Sequence, residues 1–299
     1  MPGNETELSH PVTAIIQARM SSSRLPGKVL RPIAGAPMLQ WVVERTRRAA
    51  TLDQVVVATT NDPSDDPLAE YCQQQAIPFY RGNLYDVLDR YYQAARYFNA
   101  AAVVRITADC PLIDPQVVDR TVRAFFGATQ PQDVLLSDAQ TAYRSDAQTA
   151  FRSDQAANLS GLRSDFTANR LPPPWGRTYP IGLDTEVCSF AGLETAWKEA
   201  SLPHQREHVM PFFYDHVERF RVLLVNHPED YGVLRWTVDT PADLELLQRI
   251  AAAFPGRNDF SWLEVLDLFQ RQPELGEINA GVVHKTFQDV DQRYQSRPS

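Results

Sequence analysis

The chain has 299 residues, a hydrophobic content of 43% and a formal net charge of −8. This length can bury one large α/β core or two modest ones, and the acidic balance disfavours a nucleic-acid binder, which usually presents a basic face. The three cysteines are too far apart for a zinc pattern, the N-terminus lacks the apolar core of a signal peptide, and no apolar run reaches the length of a membrane span, so we expect a cytoplasmic protein.

Strands and helices alternate along the first part of the chain. Apolar runs predict strands at 12–18, 55–60, 77–80 and 102–106. Helical spacing predicts helices at 37–50, 65–75, 84–99 and from Asp114-Pro115 to about 126. This alternation indicates a parallel sheet covered by helices on both faces, in which ligands bind at the carboxyl ends of the strands.

The middle of the chain contains a tandem repeat. Residues 137–144 (SDAQTAYR) and 145–152 (SDAQTAFR) are nearly identical, and weaker copies follow. Because these residues are small and polar, they can bury little surface, and we interpret 137–164 as a surface insertion within a single domain spanning 1–299. Beyond it, the pattern predicts a strand beginning at 182–187, helices at 189–200, 206–216 and 241–253, strands at 219–225 and 236–238, and one amphipathic helix within 261–299.

A polar loop at 17–28 (QARMSSSRLPGK) follows the first predicted strand. It contains three cations, Arg19, Arg24 and Lys28, beside three consecutive serines, and Pro26-Gly27 is a turn dipeptide that can bring Lys28 back over the loop. A triphosphate needs several positive charges and many N–H or O–H donors. The patterns of a P-loop and of a dinucleotide-binding loop are absent, so the residues alone leave a phosphate site or a solvated basic loop open.

Two aspartates follow other predicted strands. Asp109 comes directly after the strand at 102–106, and Asp239 follows the short strand at 236–238. Mg²⁺ on a triphosphate usually takes one or two carboxylates together with phosphate oxygens and water. Each aspartate could instead have a purely structural role. For Asp239 this role would be a helix cap, although Thr240, with Asp243 three residues later, already forms a capping box for the following helix.

The run ARMSSSRLPGK resembles the signature of the sugar cytidylyltransferases, including the CMP-3-deoxy-manno-octulosonate synthetases and acylneuraminate cytidylyltransferases. The whole chain is more similar to the spore-coat polysaccharide biosynthesis protein F family, which shares IIQARMSSSRLPGKVL almost residue for residue. The resemblance implies a Rossmann-like nucleotidyltransferase fold of the glycosyltransferase-A type, a three-layer α/β sandwich with a mostly parallel central sheet. It also implies that Arg19, Ser22, Arg24 and Lys28 hold the phosphates of CTP, that Arg19, Lys28 and Asp109 are catalytic, and that Asp109 and Asp239 bind Mg²⁺.

Two later segments, 179–187 (YPIGLDTEV) and 206–209 (REHV), also resemble the spore-coat family. The resemblance implies a sugar pocket lined by Asp184, Glu186, Arg206, Glu207 and His208. A salt-bridged surface is the alternative for each of these residues. Thr107 occupies a position where the relatives have a nucleotide-facing residue, and Arg235 is a weaker candidate.

The expected activity is a Mg²⁺-dependent transfer of CMP from CTP to a sugar with release of pyrophosphate, for surface polysaccharide biosynthesis. One alternative is a glycosyltransferase of the same fold, which usually carries Asp-x-Asp where this chain has Asp-Cys-Pro. A non-catalytic nucleotide-binding module is the other. The sequence names neither the sugar nor a general base, and it does not fix CTP over other nucleoside triphosphates. The resemblance is also compatible with a homodimer.

Overall fold

The computed structural model describes residues 11–136 and 163–283. Within these ranges, eight strands form one sheet in the order β5-β4-β1-β6-β9-β8-β10-β7, and β2 and β3 form a separate hairpin. The strands are β1 (Val12–Gln17), β2 (Pro32–Ile33), β3 (Ala36–Pro37), β4 (Gln54–Thr60), β5 (Phe79–Gly82), β6 (Ala102–Thr107), β7 (Val134–Leu135), β8 (Phe166–Ala168), β9 (Glu186–Ser189) and β10 (Val222–Leu224). Of the predicted insertion at 137–164, residues 137–162 lie outside the described ranges.

The sheet is mixed, with its parallel half at the N-terminal part of the chain. β1 pairs in parallel with β4 and β6, and β4 pairs in parallel with β5. β9 is antiparallel to both β6 and β8, β10 is parallel to β8, and β7 is antiparallel to β10. Because β1, β4 and β6 run in the same direction, the loops that follow them gather at one edge of the sheet.

Helices cover both faces of the sheet, which confirms the predicted three-layer α/β architecture. They are α1 (Met38–Thr46), α2 (Asp66–Gln74), α3 (Val87–Tyr97), α4 (Pro115–Phe125), α5 (Phe190–Glu199), α6 (Pro203–His208), α7 (Pro211–Asp215), α8 (Pro241–Ala253) and α9 (Trp262–Arg271). Side chains alternate along β1, so that Ala14 and Ile16 face a core built with α1, α4, α8 and α9. Ile15 faces the opposite core, built with α3, α5 and α7.

The predicted elements of the first part of the chain are confirmed within a few residues at their ends. Asp114 caps α4 as predicted, since its side chain accepts hydrogen bonds from the backbone of the first turn. The predicted helix at 206–216 is instead two short helices, because Val209 adopts a φ of 71° and Pro211 starts a new helix. In the described parts of the chain, no helix has both the length and the apolar character needed to cross a bilayer.

The predicted strand at 236–238 was wrong. The backbone of this segment bonds with two loops instead of with a strand: the Trp236 N–H donates to Ile181 O at 2.7 Å, and the Val238 N–H donates to Asp109 O at 2.8 Å. Gly182, with a φ of 109°, allows this approach, because a Cβ there would lie 2.7 Å from the carbonyl carbon of Trp236. The apolar run Trp236-Thr237-Val238 thus joins the loop after β6 to the loop before β9.

Candidate active site

The loop at 17–28 folds back on itself directly after β1. The N–H groups of Ser22 and Gly27 both donate to Met20 O, at 3.0 and 2.9 Å, and Gly27 has a φ of 67°. Buried Leu25 fixes the loop to the core, and Lys28 begins a 3₁₀ turn at 28–30. The left-handed conformation at Gly27 reverses the chain, so the Lys28 side chain points to the carboxyl edge of the sheet as the Pro-Gly turn predicted.

The serine hydroxyls of this loop differ in what they contact. Ser22 Oγ accepts a hydrogen bond from the Leu25 N–H at 3.3 Å and so supports the loop itself. Ser21 Oγ is buried and makes no hydrogen bond within the described part of the chain. Of these two serines, Ser21 is therefore the one whose hydroxyl is available to donate to a ligand, whereas the sequence analysis had named Ser22.

Buried Asp65 anchors the loop to β4. Its carboxylate accepts from the Met20 N–H at 2.6 Å and from the hydroxyl of Thr60 at the end of β4. Sequence reasoning missed this residue because it assigned position 65 only to the start of the helix predicted at 65–75. A buried carboxylate bound to a backbone N–H holds the loop in one position relative to the sheet.

Lys28 lies at the centre of the candidate site. Its ammonium donates to Asp109 Oδ2 at 2.8 Å, to Asp239 Oδ1 at 2.9 Å and to Val238 O at 2.8 Å. Burial lowers the pKa of Lys28, but the two carboxylates outweigh it, so that the pKa lies above its ordinary value. Three residues separated by up to 211 positions in sequence are thus brought together, as the sequence analysis expected.

Asp239 is held by three cations. Arg24 and Arg235 bind its Oδ2 at 2.9 and 2.8 Å, while Lys28 binds its Oδ1. Burial raises the pKa of this carboxyl, but Lys28, Arg235 and Arg24 together lower it well below its usual range. Asp239 is therefore ionised throughout the neutral pH range.

Arg235 connects Asp239 to the start of α8. Its guanidinium also binds fully buried Asp243, with Nε 2.9 Å from Oδ1. Asp243 closes the predicted capping box with Thr240 and accepts from the Asp239 N–H at 3.0 Å. Asn279, from the segment after α9, donates to Arg235 O at 3.1 Å and to Asp243 Oδ1 at 2.9 Å. The cap of α8 thus fixes both the backbone and the carboxylate of Asp239.

A cavity of about 130 Å³ opens beside Asp109 and Asp239. It is lined by Arg105, Thr107, Asp109, Cys110, Arg170, Ile181, Asp184, Thr237 and Asp239. Burial raises the pKa of the Cys110 thiol well above its ordinary value, so this thiol is neutral and a poor nucleophile. Of the predicted residues, the structure brings Thr107 and Asp184 to this cavity, beside Asp109 and Asp239.

Arginines that the sequence analysis missed surround the predicted acidic residues of the cavity. Glu186 is buried and pairs with Arg105, its partner across β6 and β9. Asp184 binds Arg177, with Nη1 2.5 Å from Oδ1, and lies 3.4 Å from Arg170 Nε. A charged residue within an otherwise apolar strand, as in VVRIT, is a signal that could have identified Arg105. Three arginines thus pair with two carboxylates in this group, which leaves one excess positive charge.

The structure does not bring Arg206, Glu207 or His208 to the lining of this cavity. They lie on α6, which packs against α3, and Arg206 donates to both carboxylate oxygens of Asp86, with Nε 3.1 Å from each, and to Trp197 O at 2.7 Å. Asp86 caps α3 directly after β5. The predicted contact of these three residues with a sugar remains a prediction. Arg19 lies in the loop between Ala18 and Met20, partly exposed.

The donor set at Lys28 fits a divalent cation bound with a phosphate ligand. Asp109 and Asp239 offer carboxylate oxygens that already share one cation, and both side chains are partly exposed, at 27% and 17%. Mg²⁺ is usually bound through one or two carboxylates and takes its remaining ligands from substrate phosphates and water. Within 11–136 and 163–283, no group of three or more His, Cys, Asp or Glu side chains is arranged to hold a metal ion. The two aspartates could therefore hold a divalent cation together with a phosphate ligand.

The chain is similar to several known proteins. A family model described as cytidylyltransferase matches residues 13–174. The chain is 29% identical over 267 residues to the spore coat polysaccharide biosynthesis protein SpsF of Bacillus subtilis, covering 87% of this chain and 94% of that protein. Over 118 residues it is 39% identical to a 3-deoxy-manno-octulosonate cytidylyltransferase of Geobacter sulfurreducens, covering 37% and 44%. A solved cytidylyltransferase structure from Leptospira borgpetersenii superposes with a TM-score of 0.73 at 28% identity, covering 91% of this chain and 99% of that one.

Proposed function

The chain belongs to the cytidylyltransferase family, and from this premise we propose that it joins CMP from CTP to a sugar, with Mg²⁺ as the metal and pyrophosphate as the second product. The observation that carries the proposal is the convergence of Arg24, Lys28, Asp109 and Asp239 beside a polar cavity. Cations and carboxylates at one point suit a triphosphate and its metal, and the cavity offers room for an acceptor next to them.

The loop at 17–28 holds the triphosphate in this proposal. Arg19, Arg24 and Lys28 supply positive charge, and the Ser21 hydroxyl donates to a phosphate oxygen. As negative charge grows on the α-phosphate and the leaving pyrophosphate, fixed cations stabilise the transition state more than the ground state. Asp109 and Asp239 would hold Mg²⁺, which would neutralise more of that charge and lower the pKa of the attacking hydroxyl.

The acceptor sugar occupies the cavity lined by Thr107 and Asp184. Its hydroxyl oxygen attacks the α-phosphorus, the bond from that phosphorus to the bridging oxygen breaks, and pyrophosphate leaves with the bond electrons. The hydroxyl proton is released to water as the new bond forms. Arg105 and Arg170, balanced by Glu186 and Asp184, form a polar wall that orients the sugar for this attack.

Pyrophosphate release tests the proposal. The purified protein is incubated with Mg²⁺, each of the four nucleoside triphosphates in turn and a panel of sugars, and pyrophosphate is measured by a coupled assay. Sugar-dependent release with CTP supports the proposal. Release of a nucleoside diphosphate from a nucleotide sugar would favour a glycosyltransferase, and CTP binding without turnover for every sugar would favour a nucleotide-binding module.

A further inference from the structure

The Lys28 ammonium has no hydrogen left for a phosphate. An ammonium group carries three N–H donors, and those of Lys28 are used by Asp109, Asp239 and Val238 O. Its side chain is only 11% exposed, so water does not share these contacts to any large extent. In this arrangement Lys28 occupies the oxygens that would bind a divalent cation, and it cannot contact a triphosphate at the same time.

We propose that Lys28 is a resident cation of the metal site and exchanges its partners when the metal–nucleotide complex binds. Before binding, the ammonium neutralises Asp109 and Asp239. On binding, Asp109 and Asp239 would hold the divalent cation, and Lys28 would turn to the phosphates that arrive with it. This inference rests on the proposed function for the identity of the nucleotide.

Asp239 keeps its position during the exchange because its other oxygen has separate partners. Arg235 binds Oδ2, and its guanidinium is itself held by fully buried Asp243. Oδ1, the oxygen that Lys28 binds, is the one released. Arg235 is therefore a fixed anchor of Asp239, whereas Lys28, on its flexible four-carbon side chain, is the cation that can leave Oδ1.

The exchange has a consequence for the order of binding. A divalent cation arriving alone must displace the ammonium from both carboxylates, and the displaced charge then gains no new partner. A cation that arrives with the triphosphate brings acceptors for Lys28. The protein should therefore bind the metal weakly alone and much more tightly with nucleotide, and part of this coupling should depend on Lys28.

Lysine-selective NMR tests the movement directly. The chain has only three lysines, Lys28, Lys198 and Lys285, so ¹³C,¹⁵N-lysine labelling gives few ammonium signals, and loss of one signal in Lys28→Met assigns it. With Mg²⁺ and α,β-methylene CTP, the Lys28 signal should shift and its hydrogen exchange rate should change. The Lys198 signal should stay unchanged, because that exposed residue pairs with Glu194 on the helix surface. An unmoved Lys28 signal beside saturated nucleotide binding would overturn the proposal.

Mn²⁺ binding measured by electron paramagnetic resonance tests the competition without turnover. For Mn²⁺ alone, Lys28→Met should bind at least about tenfold more tightly than the wild type, because the metal no longer has to displace the ammonium from Asp109 and Asp239. Lys198→Met, the control, should bind as the wild type does. Equal or weaker Mn²⁺ binding by folded Lys28→Met would refute the competition. No response of the wild type to Mn²⁺ and CTP together would instead contradict the proposed function, and the exchange with it.

Discussion

Replacing Arg235 perturbs the link between the cap of α8 and the position of Asp239. The Arg235 side chain is 7% exposed and that of Asp243 is fully buried, with Nε and Oδ1 2.9 Å apart. Arg235→Gln keeps a polar side chain but removes the charge that both Asp239 and Asp243 bind. We expect a loss of stability and weaker metal binding together, because the same guanidinium serves both aspartates.

The size of the loss follows from what remains around Asp243. Removing one partner of a buried ion pair typically costs about 3–5 kcal/mol, because an uncompensated charge stays buried. Asp243 retains hydrogen bonds from the Thr240 N–H at 2.9 Å, the Asp239 N–H at 3.0 Å and Asn279 at 2.9 Å. These bonds partly stabilise the remaining charge, so we expect the lower end of that range, about 3 kcal/mol.

Urea unfolding followed by circular dichroism measures this loss. The midpoint should fall at an unchanged m-value. The double variant Arg235→Gln, Asp243→Asn should recover part of the loss, since it removes the orphaned charge as well. Arg249→Gln is the control on the exposed face of the same helix, where the pair with Glu245 should be worth about 1 kcal/mol or less. A loss for Arg235→Gln no larger than that of the control would refute the reasoning.

Three further perturbations give distinct outcomes. Asp109→Asn should lower the rate of pyrophosphate release at least about 100-fold, because metal stabilisation of the transition state is worth several kcal/mol. The control Asp267→Asn, at an exposed position on α9, should leave this rate unchanged. Equal rates for Asp109→Asn and the wild type would contradict the role of Asp109. The pKa of Asp239 and of Asp243 is lower in the folded chain than in the unfolded one. Their contribution to the free energy of unfolding should therefore be complete above about pH 5 and be lost progressively as the pH falls below about 4 toward their lower folded-state pKa values. Asp243→Asn should flatten this slope in urea titrations from pH 6 to 3; a slope identical to wild type would exclude Asp243 as its source. Fully buried Arg45, on α1, donates to the carbonyls of four residues in the loops before α4 and α9. Arg45→Met should therefore lower the free energy of unfolding by about 3 kcal/mol, because these carbonyls lose their donor, and it should leave CTP binding by the folded protein unchanged. A free energy of unfolding within about 0.5 kcal/mol of wild type would show that water replaces the guanidinium at no cost.

The local pattern of the sequence predicted the elements where one physical preference dominates. β1, β4 and β6 are short apolar runs with buried faces, and α4 and α8 begin at side chains that cap them, Asp114 and Thr240. The loop at 17–28 was predictable because its cations, its hydroxyls and its Pro-Gly turn lie close together in sequence. Its location followed from the rule that the carboxyl ends of parallel strands meet at one edge.

The predictions that were wrong concern segments whose conformation depends on contacts with distant parts of the chain. The segment at 236–238 has the composition of a strand, but its partners are the loops at Ile181 and Asp109, which periodicity cannot reveal. The helix predicted at 206–216 breaks at Val209, where the side chain is fully buried and the backbone adopts a positive φ. Tertiary packing overrode local preference at both places.

The residues of the candidate site also fall into two groups, those that the sequence analysis identified and those that it missed. Arg24, Lys28, Asp109 and Asp239 were found from their positions after strands and from the resemblance. The residues that hold them, Asp65 and Asp243 with Arg235, act through hydrogen bonds that exist only in the folded chain. A capping box and a loop aspartate look ordinary in sequence, and their link to the site appears only when the strands are placed side by side.

The central claim is that one magnesium–nucleotide complex binds between the loop at 17–28 and the two aspartates. A crystal structure with Mn²⁺ and α,β-methylene CTP, with anomalous data collected at the manganese edge, tests it directly. We predict an anomalous peak coordinated by carboxylate oxygens of Asp109 and Asp239 and by phosphate oxygens, with the Lys28 ammonium on the triphosphate. A peak remote from both aspartates, or a triphosphate bound outside that loop, would contradict the account.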